Sequence, residues 1–405
     1  MLEKDAAIPV LLFGAFDRHN FGDLLFPHIA AALLPSRRLF FAGLAASDLT
    51  ASGGHRVGAL AELATAWSER PVDIFHVGGE ILTCTAWQAA VMLLPPEEVQ
   101  GVIARFERQP EAAREWAHGS LHSAALAPYA VARALFPRAA RITYNAVGGV
   151  ALDACDSALR QEVMGNLAMA DAVSVRDRHT HAHLKVAGIR AALMPDPAVL
   201  VAELFGARIR DRGAGGEVGQ MAAAFPQGYV AVQFSADFGD DATLAEIATQ
   251  LDQVVAETGF GVAFFRAGAA PWHDDLDCYR RVAARMRTAA MKIFTSLDIW
   301  DICALIAGSR AYCGSSLHGR IVAMAYALPR LNLLHPAQLG RPTKQAAYAA
   351  TWEMAGMPHT SGVNAIAHGM RTALAQDAER LRETARELAA RYRAAFAAEC
   401  VRAGR

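Results

Sequence analysis

The feature that most constrains this chain is an alternation: short apolar runs rich in Val, Ile, Leu and Phe, each followed by a stretch of helical period. Such runs are too uniformly apolar for strands wetted on one face, and they match a parallel sheet covered by helices on both. The first series places strands at Ile8–Phe16, Leu39–Leu44, Asp73–Gly79, Ile142–Val147, Ala172–Arg176 and Ala192–Met194. Helical stretches fall at Asp23–Leu34 and over a long region from about Ala86 to Leu135. The alternation then lapses. Arg208–Gln227 is charged, glycine-bearing and without apolar period, the composition of a linker. It restarts with strands near Tyr229–Phe234, Val262–Phe265, Lys292–Phe294, Ala311–Cys313 and Leu331–Leu333, with helices between them. The tail, Ala365 to Arg402, is amphipathic and rich in Ala, Glu and Arg.

Two such series predict an α/β protein of two Rossmann-like domains facing a cleft, with a long C-terminal helix. The expected boundaries are 1–205 for the first domain, 206–228 for a linker, 229–364 for the second domain and 365–405 for the helical region. A length of 405 residues agrees with more than one core. Composition narrows the function classes. The 39 Lys and Arg residues nearly balance 40 Asp and Glu, which argues against a nucleic-acid binder and its broad basic face. Six scattered cysteines with no CxxC pair read as reduced thiols. The start, Met1 to Asp5, shows no secretory signal, and no apolar run is long enough to span a bilayer; the expectation is a cytoplasmic protein. The closing helix carries Arg380, Arg382 and Arg386 on a face suited to peripheral membrane contact. Interleaved Glu379, Glu383 and Glu387 favour pairing within the helix instead.

In folds of this class ligands sit beyond the carboxyl ends of the strands, so the loops there carry the chemistry. The strongest is Cys313-Gly314-Ser315-Ser316-Leu317-His318-Gly319-Arg320, a strand-to-helix turn that puts His318 in a first helical turn, where free N–H groups and the dipole favour an anion. Ser315 or Ser316 would cap that helix, and a buried, satisfied histidine is the plain alternative for His318. Arg176 ends a strand, so its planar guanidinium is placed to grip a phosphate or carboxylate, unless neighbouring Asp177 takes it. The loop from Gly14 to Asp23 offers His19 and Asn20 for substrate hydroxyls, and Asp23 as a catalytic carboxylate or a helix N-cap. It is neither a GxGxxG fingerprint nor a P-loop. His76 precedes Gly78 and Gly79, glycines that let backbone approach a ligand. His118 and His122 have a metal-compatible spacing, but no third ligand accompanies them and no metal is expected.

In this order and spacing the segments resemble the polysaccharide pyruvyl transferase family. The likeness rests on Asn20-Phe21-Gly22-Asp23, on Gly78-Gly79, on Ser174-Val175-Arg176-Asp177 followed by Met194-Pro195-Asp196-Pro197, and on Leu317-His318-Gly319 with Ala325 to Pro329 behind it. It spans about Leu11 to Met354. The resemblance implies a glycosyltransferase-B-like fold and transfer of pyruvate from phosphoenolpyruvate onto two hydroxyls of a sugar, leaving a cyclic ketal. It makes the first domain the acceptor side and the second the donor side. On it, Arg176, Ser316, Leu317, His318, Gly319, Arg320 and Lys344 would hold the donor, and His19, Asn20, His76, Gly78 and Gly79 the acceptor. His318 and Asp23 would be catalytic, with no cofactor beyond phosphoenolpyruvate as co-substrate; the acceptor would be a sugar or lipid-linked glycan. Two positions depart from the family pattern. Ser316 stands where many relatives carry an Arg, with Arg320 or Arg310 as substitutes, and Glu80 stands where a third glycine is common. Two other readings stay open: a nucleotide-sugar glycosyltransferase using Asp237, Asp274 or Trp272, and a non-catalytic glycan-binding relative.

Overall fold

The computed structural model describes residues 8–403, with side chains as far as residue 399. Met1 to Asp5 and the side chains of Cys400 and Arg402 lie outside the described residues. The chain forms two compact units. The first comprises residues up to His19, Asp23–Pro197 and the chain from Ala394 on; the second comprises Asn20–Gly22 and Ala198–Arg393.

The first unit is built on eight strands: β1 (Val10–Phe13), β2 (Leu39–Gly43), β3 (Ser47–Asp48), β4 (Arg56–Ala59), β5 (Val72–His76), β6 (Ala139–Val147), β7 (Ala172–Val175) and β8 (Ala192–Leu193). They lie in the order β3-β4-β2-β1-β5-β6-β7-β8, parallel except where β3 runs against β4. Its core mixes buried strand residues such as Leu11, Phe13, Ile74 and Ile142 with helix faces carrying Leu159, Val163 and Leu184. The long helical region expected before β6 resolves into three helices, Ala86–Met92, Pro96–Phe106 and Pro110–Leu121. Prolines at the starts of the latter two supply the breaks. His122 is the left-handed C-cap of the last of them, φ 48°, so it does not share a helix face with His118.

The second unit carries six strands, all parallel: β9 (Tyr229–Gln233), β10 (Gly261–Phe264), β11 (Met291–Ile293), β12 (Ala311–Gly314), β13 (Arg330–Leu334) and β14 (Thr360–Gly362). The order β11-β10-β9-β12-β13-β14 is that of a doubly wound parallel sheet, with its topological switch between β9 and β12. The helices follow from ordinary signals. Asp241–Thr258, for example, starts at an Asp240 side-chain cap and stops at Gly259 with φ 70°.

The expected linker is a correction. Helices Val201–Gly213 and Gly216–Ala224 occupy it, burying Ile209, Val218 and Met221. Small residues dilute the apolar period there. Side-chain bonds across the unit tie the segment down: Glu217 accepts from Thr295 N and Ser296 N at 2.7 and 2.9 Å, and Arg212 pairs with Asp298. The tail is likewise two helices, Ile366–Leu374 and Ala378–Ala403. Phe396 of the latter packs edge-on against Phe75 in the first unit's fold.

Candidate functional site

The His318 turn stands at the switch point of the second sheet. Chain leaves β12 at Gly314, whose missing side chain lets Gln233 of β9 approach; a Cβ there would collide with the Gln233 carbonyl. Ser315 N donates to Gln233 O at 3.1 Å and Ser316 N to Gln233 Oε1 at 2.8 Å. Ser316 caps helix Leu317–Ala325, its hydroxyl accepting from Gly319 N at 3.2 Å. Two further side chains brace the turn. Tyr312 donates to Ser316 O at 2.9 Å and Gln345 to Ser315 O at 2.6 Å. Leu317 is buried in the packing beneath, and Gly319 is required because a Cβ would strike the Tyr312 ring. His318 is 7 % exposed, in the first turn of the helix. The segment Asn20–Gly22 lies against it, and a Cβ on Gly22 would fall inside the imidazole. Asn20 faces His273 at 3.4 Å and accepts from Gly22 N at 3.3 Å.

Arg320 has no solvent-facing surface with which to meet a donor, which is not what its expected role requires. It turns inward, wholly buried, and shares Glu353 with Arg330: the shortest contacts are 2.6 and 2.5 Å. Burial alone would raise the Glu353 carboxyl, but the two guanidinium groups overcome it and hold it at about 2. Arg320 also donates to Asn332 Oδ1 at 3.3 Å, and Asn332 donates to Gly314 O and Ser316 O at 2.9 and 3.2 Å. The ion cluster thus supports the turn from behind. Arg310 is on the surface against Gln227. Lys344 is exposed at the start of helix Lys344–Trp352, one residue before the Gln345 that braces the turn.

In the first unit the strand ends form a second polar cluster. Arg176, 1 % exposed, donates to Asp196 at 2.9 Å and Glu80 at 2.7 Å. Burial opposes its charge, but the two carboxylates outweigh that and push its pKa up. The expectation of a guanidinium free to grip a donor is therefore corrected, and so is the alternative pairing with Asp177. That carboxylate caps helix Arg178–Val186 through Thr180 N at 2.7 Å. Glu80, the departure from the glycine pattern, is the partner that holds Arg176, and it also accepts from Val150 N at 2.9 Å. Gly78 and Gly79 have φ 130° and 96°, conformations that exclude a side chain.

His76 is a second correction in this unit. It is fully buried, bonded to Thr143 O at 3.0 Å and to Val131 N at 3.3 Å, and stacked on Tyr144. Burial lowers its pKa to about 3, so it is a neutral core residue with no face for an acceptor. Beside it in the loop after β1, Asp17 takes Leu44 N at 2.6 Å and Tyr129 Oη at 2.9 Å, while Arg18 donates to the same Tyr129 at 2.7 Å. Asp23 lies within the first turn of helix Phe21–Leu33 and not at its N-cap, with Arg18 4.0 Å away. His19 is half-buried.

Sequence reasoning missed Gln233, Gln345 and Glu353, and gave Asp196 only as part of a motif, without its bond to Arg176. The first carried a readable signal, a lone amide at the carboxyl end of an apolar strand; the others become visible only once the chain is folded. Among the described residues no His, Cys, Asp and Glu cluster could hold a metal, and no helix is long and apolar enough to cross a membrane.

A profile of the polysaccharide pyruvyl transferase family matches residues 20–334, a span holding both polar clusters as far as Arg330 and every motif from Asn20 to His318. No curated protein sequence matches the chain. Among solved structures, the MnaA–UDP co-structure from S. aureus is 12% identical with a TM-score of 0.53, covering 95% of this chain and 92% of that one. The UDP-GlcNAc 2-epimerase from Methanocaldococcus jannaschii is 9% identical with a TM-score of 0.52, covering 92% and 93%. That from Rickettsia bellii is 11% identical with a TM-score of 0.52, covering 98% and 97%. At such identities the likeness is one of fold, the glycosyltransferase-B-like pairing of two parallel-sheet α/β units.

Proposed function

The chain belongs to the polysaccharide pyruvyl transferase family and is an enzyme of the transferase class, and on that premise we propose that it moves pyruvate from phosphoenolpyruvate onto two hydroxyls of a sugar or lipid-linked glycan. The observation that carries the reading is His318, fixed in a capped first helical turn at the switch point of the second sheet. Phosphoenolpyruvate brings two anionic groups, which suit a helix start. Its C3 must gain a proton as a hydroxyl oxygen bonds to C2, and an imidazolium is a competent acid near neutral pH.

His318 protonates C3, turning the methylene into a methyl, while the first acceptor hydroxyl adds at C2 and gives up its proton to a base. Asp23, next in the chain to Gly22, is the carboxylate proposed for that role. The C2–O bond to phosphate then breaks, its electron pair leaving with phosphate. The second hydroxyl adds at the resulting oxocarbenium centre and gives its proton to the departed phosphate, closing the ketal. Asn20 is proposed to orient the acceptor, and exposed Lys344 to meet the donor's charge.

The test is phosphate release from phosphoenolpyruvate in the presence of hexose acceptors, with product mass increased by one pyruvyl ketal. His318→Ala is expected to lower turnover by about 10²-fold or more, the usual contribution of a positioned acid, with an unaltered melting curve. Turnover equal to wild type would remove His318 from the chemistry. Thermal stabilisation by UDP or GDP and not by phosphoenolpyruvate would overturn the donor.

A further inference from the structure

The arginines around the His318 turn are committed elsewhere: Arg320 and Arg330 to Glu353, and Arg310 to the surface at Gln227. Arg266 is different. It follows β10 by two residues, at the same carboxyl edge of the second sheet as Gln233 and Ser316. Its Nε is buried with no hydrogen-bond acceptor among the described residues, and none of their carboxylates stands within ion-pair distance of the guanidinium. A guanidinium N–H removed from water and left without an acceptor is unfavourable, and an anionic ligand at this strand end would complete it.

The surroundings tie Arg266 to the turn from two directions. Ala267 N, the next amide along, donates to Asp274 Oδ2 at 2.6 Å; Gln233 Nε2 donates to Asp274 Oδ1 at 2.7 Å and Gln233 Oε1 accepts from Ser316 N at 2.8 Å. Two side chains thus link the backbone beside Arg266 to the cap of the His318 helix. On the other side, Phe21 N donates to Ala267 O at 2.8 Å, Asn20 bridges Gly268, and Gly22 lies on the His318 ring. Asp274 is the carboxylate that faces Arg266, but both of its oxygens already accept hydrogen bonds.

We propose that Arg266 is an anion-binding residue of this site, its guanidinium gripping the phosphate or carboxylate of a phosphorylated acid presented to His318. The identity of that anion as phosphoenolpyruvate rests on the pyruvyl-transfer reading. The planar fork suits either group in a bidentate arrangement that a lysine does not reproduce.

Calorimetric titration of the full chain with phosphoenolpyruvate, and separately with inorganic phosphate, tests the assignment on wild type, Arg266→Met and Arg266→Lys. We expect Kd for phosphoenolpyruvate to rise about 10-fold or more in R266M and less in R266K, the scale of a lost charged hydrogen bond. Equal Kd in wild type and R266M overturns the role of Arg266 and leaves the donor reading standing. Binding of phosphate but not phosphoenolpyruvate, lost in R266M, supports Arg266 and removes the donor. A wild type that binds neither overturns both. Should R266M melt well below wild type, R266K decides, and an unchanged Kd there counts against the proposal.

Discussion

The two units each bury an arginine cluster near their strand ends, and the clusters are opposite in stoichiometry. In the first, one guanidinium, Arg176, serves two carboxylates, Glu80 and Asp196. In the second, one carboxylate, Glu353, serves two guanidinium groups, Arg320 and Arg330. The first therefore carries a surplus of negative charge and the second a surplus of positive charge. The difference teaches that a buried arginine in a motif is not by itself an anion site. What matters is whether protein carboxylates already saturate it. A positive surplus behind the His318 turn, joined to it through Asn332, favours an anion on the ligand side without any of those arginines touching it.

The comparison breaks most sharply at Glu353. Glu353→Gln leaves two guanidinium groups facing each other in the dark, and denaturant unfolding should show a loss of about 3–5 kcal/mol. A loss under 1 kcal/mol would mean water compensates the pair. Acid gives the same cluster a pH signature. The Glu353 carboxyl sits at about 2, below its ordinary 4.5, so its contribution is fully present above 4.5 and disappears as pH falls through about 2.

Arg176→Lys is the next step down. A point charge replaces the fork that reaches Glu80 and Asp196 together, and the expected cost is about 1–3 kcal/mol in unfolding, with little change in donor KM. A KM that rises sharply with stability intact would return Arg176 to the donor site.

The smallest expected effect concerns Asp274, the carboxylate between Arg266 and Gln233. Desolvation raises it to about 7 against the pull of its hydrogen bonds and Arg266, from an ordinary 3.8. A raised carboxyl favours the folded state when protonated. Its contribution is complete below 3.8 and is lost as pH rises through 7. The wild-type minus Asp274→Asn difference in melting temperature should therefore decline from pH 4 to pH 7. A flat difference would show that the group titrates normally.

Much of the fold was legible because it rests on local pattern. Runs such as Tyr229–Phe234 and Ala311–Cys313 are strands in the structure nearly as bounded by their apolar residues. The misses have physical causes. β4 and β14 are short and glycine-bearing, and Ala and Gly blurred the helical period of Val201–Ala224 into the look of a linker. At the site, the Ser316 cap and the position of His318 followed from spacing. His76 did not, since nothing local distinguishes a histidine aimed at a ligand from one that closes a core between Tyr144 and Phe13.

The sequence by itself determined the two parallel-sheet series, the capped turn at His318 and the family to which the order of motifs belongs. Those are properties of short segments, set by side-chain period, capping chemistry and glycine placement. Only the tertiary structure decided which arginines are spent and which is left over. Pairing depends on carboxylates 20, 33 or 96 residues away in the chain, brought within hydrogen-bond reach by the packing of whole units. Arg176 and Arg320 look available in sequence and are satisfied in space, whereas Arg266 carries no motif and retains an N–H without an acceptor.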